Sequence, residues 1–165
     1  MSINAAELPT AVLPLSNVYS LPVPVVPRNR PARLSWDEYF LNGARWAATR
    51  ADCTRSQVGA ILVNASHEVR GTGYNGAPPG VPGCASAGAC PRGQLTAEQC
   101  APNSDYSNCI AVHAEANAIR HTAPEELAGS TLYVTREPCP ACWTLILAAG
   151  VYRVVTPTSK FRRDA

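Results

Sequence analysis

The sequence has little charge of either sign, few aromatic residues and no long apolar run. Charged residues make up 16% and aromatics 7% of its 165 residues, and Lys+Arg (14) nearly balances Asp+Glu (12). The resulting net charge of +2 excludes a dedicated polyanion binder with a basic tail, while leaving room for a local basic patch. Basic residues are scattered, and so few aromatics argue against a positive groove that stacks successive bases of a polynucleotide. No apolar stretch approaches the roughly 20 residues that span a bilayer. The N-terminus has neither a basic start nor a continuous apolar segment, so no export signal is read and a cytoplasmic protein is expected.

What is present points to a packed domain with metal or thiol chemistry. Hydrophobic residues account for 46% of the chain, enough for a globular core at a length of about one domain. Residues 1–33 stand apart: Pro9, Pro14, Pro22, Pro24, Pro27 and Pro31 break any helix and forbid a central strand. A mobile, partly polyproline extension is expected there, with the ordered domain over residues 34–165. Seven cysteines, an odd number without an export signal, suggest metal ligation or chemistry over a disulfide framework. Buried cysteines acting as small hydrophobes are the alternative.

The element pattern reads as α/β. Ser35-Trp36-Asp37-Glu38 fits a capping box, and Trp36, Tyr39, Phe40, Ala44, Trp46 and Ala47 recur at near-helical spacing to about Arg50. Val58–Val63 reads as a strand, with His67–Thr72 as its hairpin partner across a turn at Asn64, Ala65 and Ser66. Residues 76–109 form a Gly-, Pro-, Ala- and Cys-rich insertion without periodicity, long enough that something must pin it. A helix is expected over His113–His121, a strand over Thr131–Thr135, a helix over Ala141–Ala149 and a strand over Tyr152–Val155. That β-α-β order implies parallel strands joined by a right-handed crossover.

Two motifs carry the chemistry. His113-Ala114-Glu115 opens one expected helix, and Pro138-Cys139-Pro140-Ala141-Cys142 stands where a strand hands over to another. Alone, the C-x-x-C could be a redox pair or half of a structural zinc site. Together the motifs resemble the H-x-E and P-C-x-x-C signature of zinc-dependent nucleobase deaminases. One imidazole and two thiolates give Zn²⁺ three protein ligands and leave a fourth position for water. Cys139 and Cys142 lie one helical turn apart, near a helix N-terminus that favours thiolates. Glu115, two residues from His113, is placed to carry protons without binding the metal. A closed zinc knuckle, with Glu115 as a mere surface residue, would lack an obvious fourth ligand.

Arg50 to Val155 resembles the deoxycytidylate (dCMP) deaminases, within the wider cytidine deaminase fold. Four blocks carry the resemblance: residues 50–60 around Ser56-Gln57-Val58-Gly59, residues 73–80 beginning Gly73-Tyr74-Asn75-Gly76, residues 113–119, and residues 131–139. The resemblance implies a three-layer α/β/α fold with a mixed central sheet. Only ten residues follow Val155, so a sheet of about four strands is expected, with the family's last helix and fifth strand absent or rudimentary. It further implies hydrolytic deamination of dCMP to dUMP, with Asn75 contacting the sugar hydroxyl and backbone near Ala114 reading the pyrimidine edge. Arg55 is the candidate for the 5′-phosphate, since a planar guanidinium matches phosphate geometry. Asn75 could instead be a φ > 0 turn residue, and Arg55 a solvated surface charge.

Other family properties remain expectations. Members often assemble as homo-oligomers, and many respond to dCTP and dTTP, with Mg²⁺ on the effector. Some carry a second, structural zinc on cysteines resembling Cys53 and Cys84. Here Cys53, Cys84, Cys90 and Cys109 are the chosen set, with Cys100 as a substitute for Cys90 or a spare thiol, and buried unligated thiols as the alternative. Rival readings are a nucleoside, riboflavin-pathway or tRNA adenosine deaminase, or a catalytically silent nucleotide-binding zinc protein. Nucleoside deaminases usually place Cys where His113 stands, and a silent protein has no use for Glu115. A nucleic-acid partner is not expected.

Overall fold

The computed structural model describes residues 31–88, 90 and 109–164. The chain divides into Met1–Arg33 and Leu34–Ala165. Most of the proline-rich segment, Cys100 and the centre of the insertion lie outside the described residues. Among the described residues no helix is long and apolar enough to cross a membrane.

Helix α1 (Trp36–Ala48) starts at the expected capping box: Ser35 caps the Glu38 N–H, and the Glu38 side chain accepts from the Ser35 N–H at 2.9 Å. Its buried side, Phe40, Leu41, Ala44 and Ala47, follows helical spacing. Strands β1 (Gly59–Val63) and β2 (Val69–Tyr74) form the expected antiparallel hairpin, with the partner strand two residues later than read from sequence. The reason is the turn. Asn64 Oδ1 accepts from the N–H groups of Ser66 and Glu68, and His67 adopts a left-handed φ of 63°, so the turn extends further.

Helix α2 (Ala114–Arg120), strand β3 (Thr131–Val134), helix α3 (Pro140–Ala148) and strand β4 (Arg153–Val155) follow. Strands β3 and β4 are parallel, as the β-α-β order requires. One expectation needs correction: the sheet has five strands, ordered β2-β1-β3-β4-β5, where about four were expected. Strand β5 (Lys160–Arg162) runs antiparallel to β4. An antiparallel neighbour needs only a short turn, here residues 156–159, where a parallel one would need a helical crossover. No helix follows α3 among the described residues.

The sheet separates two apolar layers, giving the expected α/β/α sandwich. Ile61, Val63, Tyr133 and Val155 face α1 and pack with Phe40, Leu41 and Ala44. The alternate residues Ala60, Leu62, Leu132, Val134 and Val154 pack with Ala114, Ala118, Cys142 and Ile146 of α2 and α3. Strand β1 is buried on both faces, which explains its unbroken apolar run. Glycine brings the layers close: a Cβ on Gly73 would lie 2.1 Å from the Ala114 carbonyl oxygen. Helix α2 therefore rests directly on β2, where Asn117 Nδ2 also donates to the Tyr74 carbonyl at 2.8 Å.

Candidate metal centre and substrate cleft

Both signature motifs sit at helix starts on the same side of the sheet. His113 is the N-cap of α2 and Cys139 the N-cap of α3, each in extended backbone, while Cys142 lies in the first turn of α3. The parallel pair β3–β4 and its crossover fix α3 beside α2, so the two helix starts converge. His113 Nδ1 lies 3.6 Å from Cys139 Sγ and 3.3 Å from Cys142 Sγ. Tetrahedral zinc, with ordinary Zn–N and Zn–S bonds, requires N···S separations of about 3.5 Å. The donor set thus fits zinc in both chemistry and spacing. Among the described residues it is the one group of donors lying within 4.8 Å of one another.

Glu115 stands beside this group without joining it. It is 4% exposed, and its carboxyl is held by its own backbone N–H and the Cys142 thiol. Burial raises its pKa, against the opposing influence of those bonds and of His113. Burial also pushes the Cys142 thiol far up, and the negative charges of Glu115 and Cys139 add to the effect. Acidic groups so crowded and desolvated call for a cation among them.

The centre opens into a cleft of about 290 Å³ that also reaches Arg55, Ser56, Asn75, Ala114, Arg136 and Glu137. That volume is at the small end for ligand sites and suits a nucleotide-sized molecule partly open to solvent. Ala114 is fully buried against the sheet. Asn75 holds the cleft wall: Oδ1 accepts from the Val58 N–H at 2.7 Å, and Nδ2 donates to the Ser56 carbonyl at 2.8 Å. It is not a positive-φ turn residue. Arg55 is exposed at the rim.

Arg136 and Glu137 were not singled out by the sequence reading. Their position immediately before Pro138-Cys139 is the available signal. Glu137 Oε1 accepts from Ser159 Oγ at 2.7 Å, Thr158 Oγ1 at 2.9 Å and Thr156 Oγ1. Burial works to raise the Glu137 pKa, but these hydroxyls outweigh it and hold it below the usual value. The unexpected β4–β5 hairpin is thereby fastened to the metal-binding loop.

The other described cysteines gather at the same cleft. Cys53, Cys84, Cys90 and Cys109 all line it, and none of the described cysteines is in a disulfide. Burial pushes the Cys84 thiol up to about 11, with further contributions from Cys90, Cys53 and Cys109. Asp52 gathers two of the segments involved: its Oδ1 accepts from the N–H groups of Ala85 and Ser86 at 2.9 and 3.0 Å. Gly76 and Val112 exchange backbone hydrogen bonds of 3.2 and 2.9 Å, which close the two ends of the insertion.

A three-donor metal position, an adjacent buried carboxylate outside the donor set and an α/β/α scaffold together define the hydrolytic zinc deaminases as a class. The family described as the cytidine and deoxycytidylate deaminase zinc-binding region matches residues 34–158. A deoxycytidylate deaminase of Mycobacterium phage D29 is 55% identical over 131 residues, covering 76% of this chain and 97% of that one. The human deoxycytidylate deaminase is 34% identical over 135 residues, covering 81% and 71%. The dCMP deaminase of cyanophage S-TIM5, solved in complex with dCMP and dUMP, superposes with a TM-score of 0.57 at 28% identity, covering 76% and 82%. The chain belongs to the cytidine and deoxycytidylate deaminase family, and it is a deaminase enzyme.

Proposed function

We propose that the chain hydrolyses dCMP to dUMP and ammonia, with zinc held by His113, Cys139 and Cys142 and with Glu115 moving the protons. The observation that carries this reading is Glu115, a carboxylate 4% exposed beside the donor set and facing a nucleotide-sized cleft. The relatives named as dCMP deaminases support the choice of substrate. A zinc ion held there would supply an activated water, since zinc can lower the pKa of a bound water from 15.7 to about 7. Glu115 would take a proton from the attacking water and give it to the pyrimidine ring nitrogen N3 as the water oxygen bonds to C4. It would then carry the remaining proton of that oxygen to the amino group, and the C4–N bond would break to release ammonia as the C4 carbonyl forms.

Ala114 backbone is assigned to the pyrimidine edge, and Asn75 to the sugar hydroxyl through its remaining hydrogen-bonding capacity. Arg55 is assigned to the 5′-phosphate. A second, structural zinc on Cys53, Cys84, Cys90 and Cys109 belongs to the same reading. It is supported by their gathering around Cys84 and would offset the entropy of ordering the insertion. Assembly of copies is supported by the large apolar side chains of Tyr39 and Trp46, 56% and 69% exposed on α1.

The test is ammonia release by zinc-loaded protein offered dCMP, CMP, deoxycytidine, dCTP and adenosine in tRNA. The expected result is the highest kcat/KM on dCMP. Turnover confined to another substrate would replace this reading.

A further inference from the structure

We propose that Arg136 is a second cation for the substrate phosphate and, together with Arg55, sets the preference for a nucleoside monophosphate over the free nucleoside. The inference rests on the dCMP reading above. Arg136 lies at the exposed rim of the cleft that contains Arg55 and Glu115. Its Nη1 donates to Ser56 Oγ at 3.0 Å, so the guanidinium reaches from the metal-binding loop to the segment that carries Arg55.

Among the described residues Arg136 forms no ion pair. The neighbouring carboxylate, Glu137, is instead engaged by the hydroxyls of Thr156, Thr158 and Ser159. The backbone on the other side is fixed as well. The Thr135 N–H donates to the Gly59 carbonyl at 3.0 Å, and Thr135 Oγ1 accepts from the Gly59 N–H at 3.1 Å. Arg136 is therefore carried on a backbone anchored on both flanks, which lowers the ordering cost of binding.

A phosphate monoester dianion matches this arrangement. The guanidinium fork offers parallel N–H donors to two phosphate oxygens, and Ser56, which accepts from Arg136, retains its own hydroxyl proton to donate. With the pyrimidine at Glu115, a 5′-phosphate is directed toward the open rim, where both arginines stand. A free nucleoside forgoes these contacts while keeping those to base and sugar.

The experiment compares kcat/KM for dCMP and deoxycytidine in wild-type, Arg136→Ala and Arg136→Lys protein, each matched for zinc content and folding. The ratio of dCMP to deoxycytidine is expected to fall by about 10- to 100-fold in Arg136→Ala, mainly through KM for dCMP. Arg136→Lys, which keeps the charge and loses the fork, should recover part of that ratio. Where deoxycytidine turnover is too slow to measure, calorimetric affinities for dUMP and deoxyuridine give the corresponding ratio. A ratio unchanged within about twofold in Arg136→Ala overturns the assignment, whether both ligands are lost equally or neither is affected. Wild-type protein that does not turn over dCMP would overturn the substrate reading itself, an outcome visible before any variant is made.

Discussion

The two thiol clusters of this molecule are built in opposite ways. The His113, Cys139 and Cys142 donors come from two helix starts that the sheet and a short crossover bring together. Cys53, Cys84, Cys90 and Cys109 come from loops, gathered by the Asp52 carboxylate and the Gly76–Val112 bridge. The first cluster fits a tetrahedral ion before any ion is bound. The second is grouped around Cys84 without the same mutual closeness of donors. Regular structure can preorganise a site for chemistry; loops need the ligand to complete their own order.

That contrast predicts different consequences of losing a ligand. Cys84→Ser should remove the proposed structural zinc and lower stability by roughly 3 kcal/mol or more, since structural zinc sites bind with about 10 kcal/mol or more. Metal analysis should show close to two zincs per wild-type chain and about one in the variant. If the cluster consists of buried unligated thiols, both proteins should hold one zinc, and the stability change should be about 1 kcal/mol.

A region on the α1 face of the sheet separates loss of stability from loss of metal. Asp37 accepts two hydrogen bonds of 2.8 Å from Arg153, and Lys160 Nζ lies 2.8 Å from its Oδ2. The Arg153 hydrogen bonds, outweighing desolvation, hold its carboxyl well below the usual range. Stability from this depressed pKa is present above the unfolded value of about 3.9 and lost as pH falls below it. Asp37→Asn should cost about 2 kcal/mol at neutral pH and flatten the acid limb of the stability curve. Its zinc content should remain that of wild type, which denaturant melts paired with metal analysis would check.

The smallest effect should come from Glu137→Ala, which unfastens the β4–β5 turn from the metal-binding loop. Zinc affinity, read by competition with a chelator, should weaken by about tenfold, the low end for residues that support ligands indirectly. Glu137→Gln, which keeps an oxygen acceptor, should recover most of it. Equal affinity in all three proteins would show that the hairpin and the metal site are independent.

Local rules made much of this legible. The Ser35–Glu38 capping box, the helical spacing of Phe40, Ala44 and Ala47, and the two short motifs at helix starts all operate within a few residues. What escaped the sequence depends on distant partners. Strand β5 pairs with β4 through a hairpin that the crossover argument did not consider. Arg136 finds Ser56 across 80 positions, and Glu137 finds Ser159 across 22. Asn75 looked like a sugar contact or a turn residue, and its bonds to the backbone of Ser56 and Val58 appear only once β1 and β2 are paired. Long-range side-chain partners of this kind leave no local period or spacing to read.

The most direct test of the account is dCMP deamination by zinc-loaded Glu115→Ala protein, with metal content measured on the same sample. Because the carboxylate lies outside the donor set, the zinc bound by His113, Cys139 and Cys142 should be retained. Turnover should nevertheless fall by at least the roughly 10²–10⁴-fold typical of a positioned acid–base group. A variant that keeps its zinc and also keeps substantial activity would contradict the central role given to Glu115.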